Sequence, residues 1–356
     1  MGAAARMPQQ SMKEDAFMRK TMVFCLLMIV AMFCVLVESA VAKDFKFAVS
    51  QGWLDNDSGQ NMNKGYKQGF KEFFGDQALK DAVFVNSNYD TKLQSEQIGA
   101  FIKMKPDALF VTASEAAAIT PAVKRAIEAG IPVFSGDSLI AGTMCTTSVL
   151  SNNFGMGILT AEYIAKRLKG KGKVGVIGLP ANETWDHREQ GMDWIFKTEY
   201  PGIQVVSRWN YDPAGAVTPR QGIDNMLAAN PGKGSLDAIW CAWDGAAMEG
   251  ALAIKSAGRE KEVITTGIDG GTRAFEFIKG DATAMKFTAG QSMWLMAYMS
   301  VYYASEHLKG RKVPRLVVSP VYAITDAELK NVDIKTYGDT YDHPGNANKL
   351  GWKRSL

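Results

Sequence analysis

The sequence predicts an α/β protein made of two open, mostly parallel sheets, and three observations support this. Short apolar runs alternate with segments whose apolar residues recur every three or four positions. This alternation is typical of βαβ units, in which helices cover both faces of a parallel sheet. The pattern starts again after about residue 151. The chain has 356 residues, which suits two domains of about 150 residues each better than one core.

The first half of the pattern is read from apolar periodicity. In the segment 60–74, Met62, Tyr66, Phe70 and Phe74 recur every four residues, which is the spacing of an amphipathic helix. The predicted strands of this half are 45–50, 82–86, 108–112 and 133–135. The predicted helices are 60–74, 93–104 and 119–129.

The second half repeats the design, with glycines after several of its helices. The predicted helices are 153–168, 183–198, 220–229, 246–257, 271–279 and 294–308. The predicted strands are 173–178, 203–209, 236–241, 263–267, 284–288 and 316–321. The polar segment 331–356 is expected to wrap the surface as a tail.

Residues 1–42 have the layout of a secretory signal peptide. Arg19 and Lys20 precede an uncharged apolar run, 21–37, and the sequence Ala-Val-Ala ends at Ala42. The run is shorter than the roughly 20 apolar residues of a membrane-spanning helix, so we expect cleavage after Ala42 and not a membrane anchor. Met18 is an alternative start. We therefore expect the protein in the periplasm, where ATP and NAD are scarce.

The 314 residues after position 42 have nearly balanced charge. They contain 36 basic and 34 acidic residues, without a long block of one sign. This argues against nucleic acid or an anionic membrane as partner. Cys145 and Cys241 remain, each in or beside an apolar run. An exported protein could pair them, but two cysteines are no disulfide framework, and we expect buried free thiols.

Ligands of open parallel sheets bind at the carboxyl ends of the strands, so the residues there are the candidate site. The aromatic candidates are Trp53, Trp185, Tyr211 and Trp243. The polar candidates are Asp57, Asp137, Asn152, Arg188, Asp269 and Gln291. Aromatic rings pack on the C–H faces of a sugar, and charged groups bind its hydroxyls, so the mixture predicts a neutral polyhydroxylated ligand. Helix capping and core packing are the alternative roles of these residues.

Signatures of catalysis and of metal or cofactor binding are weak. His187, His307 and His343 are far apart and do not have the spacing of metal ligands. Neither a G-x-S-x-G elbow nor a complete phosphate-binding loop occurs. We therefore predict neither an enzyme nor a cofactor or metal site.

Five segments, taken in their order and spacing, resemble one family. They are 108–114, 130–137, 151–164, 187–191 and 266–270. Over about residues 43–321 the chain resembles type I periplasmic binding proteins of the ribose/galactose-binding group, which serve sugar ABC importers. The resemblance implies two doubly wound parallel-sheet lobes, joined by a three-segment hinge, that close over the ligand.

The resemblance also implies lobe boundaries. The N-terminal lobe would be 43–151 plus about 291–313, and the C-terminal lobe 152–290 plus about 314–330. The crossings would lie at 151–152, near 290–291 and after about Pro314.

The family's sugar contacts carry over unevenly. Asp137, Arg188, Tyr211 and Asp269 match family positions, and Gln291 matches with a shift of one residue. Three features depart from the family, namely Trp243 in place of an amide, Ser138 in place of an arginine, and a longer loop 51–61 that carries Trp53 and Asp57. We expect Trp53 and Trp243 to sandwich the ligand.

The sequence therefore predicts a monomeric, non-catalytic receptor that delivers a monosaccharide or sugar alcohol to an ABC transporter permease. The alternative is a periplasmic sensor module that presents a small polar solute to a membrane receptor. An exported carbohydrate-active enzyme is less favoured, because it needs a carboxylate pair at a defined separation.

Overall fold

The computed structural model describes residues 45–179, 182–212, 215–280, 283–337, 340, 341, 343, 346, 350, 352 and 355. Lys46–Leu356 forms one unit. The predicted signal peptide, 1–42, lies outside the described residues.

Strands and helices alternate in the first half of the chain, as the apolar pattern predicts. The strands are β1 (Phe47–Gln51), β2 (Val83–Asn86), β3 (Ala108–Thr112), β4 (Val133–Asp137) and β5 (Thr147–Ser151). The helices are α1 (Asp57–Asp81), α2 (Thr91–Met104) and α3 (Ala116–Glu128).

The alternation continues through the second half. The helices are α4 (Asn153–Arg167), α5 (Glu183–Thr198), α6 (Pro219–Ala229), α7 (Asp244–Ser256), α8 (Thr272–Lys279), α9 (Met293–Leu308), α10 (Asp326–Leu329) and α11 (Ile334–Tyr337). The strands are β6 (Gly172–Gly178), β7 (Ile203–Asn210), β8 (Ala238–Cys241), β9 (Ile264–Asp269), β10 (Met285–Gln291), β11 (Leu316–Ser319) and β12 (Val321–Ile324).

The strands form two six-stranded sheets of matching design. The first has the order β11-β5-β4-β3-β1-β2, and the second has the order β12-β10-β9-β8-β6-β7. All pairs in the first sheet are parallel. In the second sheet only the β10–β12 pair is antiparallel. We call each sheet with its covering helices a lobe, and the predicted fold of two parallel-sheet α/β lobes is confirmed.

Three connections join the lobes, and the last differs from its predicted position. The chain leaves the first sheet after β5, returns after β10, and crosses once more at Pro320 between β11 and β12. The predicted strand 316–321 is therefore two strands, one in each sheet. Because β11 pairs with β5 through Ser319, the third crossing falls six residues after Pro314.

Strand β5 was not predicted, because its sequence is rich in serine and threonine. Its polar side chains are satisfied by neighbours. Ser135 Oγ donates to Ser148 Oγ at 2.7 Å, and Thr147 Oγ1 donates to the Pro314 carbonyl at 2.8 Å. Tertiary hydrogen bonds thus stabilise a strand that lacks an apolar run.

Both cysteines that follow the predicted signal peptide are free and buried, as predicted. Cys145 packs in a core cluster of the first lobe, and Cys241 packs in a core cluster of the second.

The C-terminal segment is less peripheral than the predicted tail. Tyr341 is buried, and its ring lies 6.0 Å from Phe275 and 5.2 Å from Trp352. The ring of His343 lies 5.3 Å from that of Trp294. Aromatic residues therefore anchor the described part of this segment against the fold.

Within the described part of the chain, every helix is too short or too polar to cross a membrane.

Candidate functional site

The carboxyl ends of the two sheets face each other across a narrow gap. Ser138, directly after β4, has its Oγ 3.3 Å from Thr184 Oγ1 of α5. On the other side, a Cβ added to Gly271 would lie 3.7 Å from the Cβ of Asp57. Side chains of both lobes therefore meet at the edge where ligands of parallel sheets bind.

Arg188 is the centre of the second-lobe half of this site. Its Nε donates to Asn153 Oδ1 at 3.0 Å, and its Nη1 donates to the Ala242 carbonyl at 2.7 Å. Nη1 also lies 3.3 Å from Asp269 Oδ1. The side chain is only 1% exposed, so these contacts fix the planar guanidinium in one orientation.

Two glycines allow the backbone position of Arg188. Gly157 of α4 faces the Arg188 carbonyl so closely that a Cβ there would overlap it. Gly191 of α5 faces the Phe154 carbonyl in the same way. The helices can approach backbone to backbone only because both positions lack a side chain.

Asp269 and Gln291 extend the Arg188 cluster. Gln291 Nε2 donates to Asp269 Oδ1 at 2.8 Å, so that oxygen is shared by an amide and a guanidinium. Gln291 is the last residue of β10, directly before the chain crosses to the first lobe. Ligand contact at this residue would couple directly to the connection between the lobes.

Asp244 holds the turn that carries Asp269. Its Oδ2 accepts from the Gly270 amide at 2.7 Å, and its Oδ1 accepts from Thr288 Oγ1 at 2.7 Å. Burial raises the pKa of the Asp244 carboxyl, and the nearby Asp269 raises it further. Both Asp244 oxygens accept hydrogen bonds from the protein, so this residue helps to position the turn that carries Asp269.

Asp137 supplies a carboxylate from the first lobe. Its Oδ2 accepts from Ser138 Oγ at 3.2 Å, whereas its Oδ1 has no hydrogen-bond partner among the described residues. Burial raises the pKa of the Asp137 carboxyl to about 6, with Arg188 lowering it and Asp269 raising it. The residue is 5% exposed and lies near enough to Arg188 and Asp269 of the second lobe for their charges to act on it.

Two further buried oxygens near the sheet ends are also without partners in the described part of the chain. They are Oε1 of Gln51, at the end of β1, and Oε1 of Gln291. Buried polar atoms are nearly always hydrogen-bonded in native proteins. Together with Asp137 Oδ1 they form a set of acceptors suited to hydroxyl donors.

The aromatic candidates form one group in each lobe. In the second lobe, Trp243 stacks on Trp185 at a centroid distance of 4.4 Å and an angle of 17°, and Tyr211 lies 5.3 Å from it. In the first lobe, Trp53 lies parallel to Tyr89 at 6.1 Å. Trp185 thus covers one face of Trp243. Tyr211 lies against Trp243 as well, and the sandwich of Trp243 with Trp53 stays a prediction.

A small cleft opens beside the Arg188 cluster. Asp269 and Gln291 line it from the second lobe, Ser58 and Asn61 from α1, and Tyr341 from the C-terminal segment. Parts of both lobes therefore line this cleft.

A family model decides the classification. Residues 47–312 match the model described as periplasmic binding protein domain. The chain belongs to this family.

Named relatives of this periplasmic binding protein include sugar and polyol receptors. The ribose import binding protein RbsB of Bacillus subtilis is 26% identical over 287 residues, which are 80% of this chain and 88% of the relative. The xylitol-binding protein of Mycolicibacterium smegmatis is 26% identical over 269 residues, which are 71% of this chain and 70% of the relative.

Solved structures share the fold of this periplasmic binding protein. An ABC transporter solute-binding protein from Agrobacterium vitis with bound allitol has a TM-score of 0.73 at 22% identity, covering 82% of this chain and 98% of that one. One from Bacillus halodurans with bound myo-inositol has a TM-score of 0.72 at 23% identity and the same coverage.

One predicted site residue of this periplasmic binding protein, Asn152, lies at the start of a helix. Asn152 is exposed, and its Oδ1 accepts from the Gly155 amide at 2.9 Å, so it caps α4. Its neighbour Asn153 binds Arg188 instead. The Asn-Asn pair is visible in the sequence, but which of the two faces the gap depends on where the helix begins.

Asp57, a predicted site residue, lies in the first turn of α1, because the helix begins earlier than predicted. Sequence reasoning did not single out Gln51 or Tyr89. Gln51 ends β1 and Tyr89 lies three residues after β2, so the strand-end rule could have found both. Tyr89 donates to Asp55 Oδ1 at 3.0 Å, which holds the loop that carries Trp53.

Proposed function

We propose that this protein is an extracytoplasmic solute-binding protein of an ABC importer that binds a monosaccharide or sugar alcohol between its lobes. One observation carries the proposal. Asp137 of the first lobe lies near Arg188 and Asp269 of the second lobe, and Gln291 is bonded to Asp269. Buried oxygens of Asp137 and Gln291 are without partners among the described residues.

The chemistry of this arrangement suits a polyol. A hydroxyl can donate to Asp137 or Gln291 and accept from another group at the same time, and bonds to charged groups are the stronger ones. The C–H faces of the ligand would pack on the aromatic groups around Trp53 and Trp243. Sugar- and polyol-binding relatives support the same ligand class.

The transporter would recognise the bound state through closure of the lobes. We propose that the first lobe comprises residues 45–151 and 293–319, and that the second comprises 153–290 and 321–324. A ligand that contacts both lobes would favour their closed arrangement, which a membrane permease would recognise. In this role the protein acts as a monomer in the periplasm after removal of 1–42, and it releases the ligand unchanged.

A thermal-shift screen tests this function. The panel contains pentoses, hexoses, alditols and inositols, with wild-type protein and Arg188→Ala as the matched control. A ligand at 100 times its dissociation constant stabilises by about 2.7 kcal/mol, so at least one compound should raise the melting temperature of the wild type clearly. Failure of every compound in the panel would contradict the proposal.

Chemical conversion is checked on the same samples. NMR spectra of the best ligand after prolonged incubation should show the starting compound alone. A new product would instead identify the protein as an enzyme.

A further inference from the structure

The charges around the candidate site do not balance. Three carboxyl groups, those of Asp137, Asp244 and Asp269, lie near one buried guanidinium, that of Arg188. Asp137 and Asp244 are buried, whereas the Asp269 side chain is 14% exposed. The charge of Arg188 is paired with a carboxylate of its own lobe, because Nη1 lies 3.3 Å from Asp269 Oδ1. Asp244 is stabilised separately by the Gly270 amide and the Thr288 hydroxyl.

Asp137 makes the fewest polar contacts of the three. The next residue, Ser138, gives it a hydroxyl donor at 3.2 Å but no positive charge. Its Oδ1 is buried and has no hydrogen-bond partner within the described ranges. A buried carboxylate is costly unless it is both hydrogen-bonded and offset by a positive charge.

A ligand can supply the missing interactions in two ways. A hydroxyl gives a neutral donor and adds no positive charge. A protonated amine gives a donor and a positive charge together, so the attraction between opposite charges is added to the hydrogen bond.

We propose that the physiological ligand is a polyhydroxylated amine, an amino sugar or amino polyol, whose ammonium group binds Asp137 Oδ1. This inference rests on the proposed function and specifies its ligand class. The proposed ligand carries a charge, whereas the sequence predicts a neutral ligand. The difference arises because the sequence does not show that the guanidinium of Arg188 is already paired with Asp269. The hydroxyls of the ligand would bind the Arg188, Asp269 and Gln291 cluster.

Titration calorimetry with matched pairs tests the inference. Each pair differs by one hydroxyl in place of an amine, for example D-glucose with D-glucosamine, D-galactose with D-galactosamine, and D-sorbitol with D-glucamine. In the best-binding pair, near neutral pH, the amine should bind at least about tenfold more tightly than its hydroxyl partner.

Two variants assign that preference to Asp137. Asp137→Asn keeps the shape but removes the charge, so the ratio of the two affinities should fall to near one. Ser138→Arg adds a guanidinium beside Asp137 and should lower the ratio in the same direction. Circular dichroism confirms folding of each variant.

The other outcomes contradict either the amine ligand, the role of Asp137 or the proposed function. If the wild type binds the hydroxyl partner as tightly as the amine or more tightly, the physiological ligand is not an amine. The proposed polyol-binding function is then unaffected. An amine preference that persists in both variants refutes the role of Asp137. If neither these pairs nor any neutral polyol of the screen binds, the proposed function fails as well.

Discussion

Asp137 and Asp269 occupy equivalent positions in the two lobes. Each is the last residue of its strand, and β4 and β9 are both third in strand orders that correspond throughout. Both residues have positive φ, 72° and 137°, which L residues other than glycine rarely adopt. Strain of this kind costs on the order of 1–3 kcal/mol and clusters at ligand sites. It is consistent with a site whose geometry is maintained at some cost in stability.

The strain at Asp137 is testable by substitution. We expect Asp137→Gly to be more stable than Asp137→Ala by about 1 kcal/mol, because glycine adopts φ of 72° without steric cost. Urea unfolding of the unliganded proteins measures the difference. At Asp224, on the exposed face of α6, the same pair should show the reverse order. An alanine variant at 137 as stable as the glycine variant would argue against strain.

The buried carboxyl of Asp137 predicts how stability depends on pH. Its pKa is raised to about 6 in the folded protein, so its stabilising contribution is present at acidic pH and is lost as pH rises through that value. The free energy of unfolding of Asp137→Asn should therefore exceed that of the unliganded wild type by on the order of 2 kcal/mol at about pH 7.5. Equilibrium unfolding at several pH values gives this difference.

The same comparison at lower pH provides the control. The advantage of Asp137→Asn should shrink as pH falls toward about 4.5, because the wild-type carboxyl is then protonated in the folded state. A difference that stays constant between these pH values would show that Asp137 does not titrate as its burial requires.

The geometry of Arg188, and not only its charge, should matter for binding. Lysine at this position keeps the charge but cannot contact Asn153, the Ala242 carbonyl and Asp269 together. Arg188→Lys should therefore weaken binding by about 1.5–3 kcal/mol, measured by calorimetry with the best ligand of the screen. The matched control is Arg220→Lys in the partly exposed ion pair with Asp224, which should leave affinity unchanged. Full affinity in Arg188→Lys would mean that only the charge is required.

The glycine contact between α4 and α5 should also control the site. We expect Gly157→Ala to destabilise the protein by about 1–3 kcal/mol, because the new Cβ overlaps the Arg188 carbonyl. It should also weaken ligand binding, since Arg188 must shift. Gly99→Ala in α2 is the control, because its Cβ would meet open space and should raise stability slightly. Unfolding curves and calorimetry report the two effects, and unaltered affinity in Gly157→Ala would separate the helix contact from the site.

Much of the fold could be predicted because alternating apolar runs directly reflect βαβ units. The strand predictions were wrong where tertiary contacts determine which residues form a strand. β5 is a polar strand held by Ser135 and Pro314, and the run 316–321 is shared between two sheets because the chain crosses at Pro320.

The candidate site could be predicted in composition but less well in its contacts. The strand-end rule selected Asp137, Arg188 and Asp269, which lie near one another, because it depends only on topology. Their contact with a ligand stays a prediction. The rule could not show that Trp185 covers Trp243, or that Asn153 and not Asn152 meets Arg188, because these depend on side-chain orientation.

The most direct test of binding between the lobes is calorimetry on one variant from each side of the gap. With the best ligand of the screen, Asp137→Ala in the first lobe and Asp269→Ala in the second should each weaken binding at least about tenfold while remaining folded. Unchanged affinity in either variant would contradict a ligand held jointly by the two lobes.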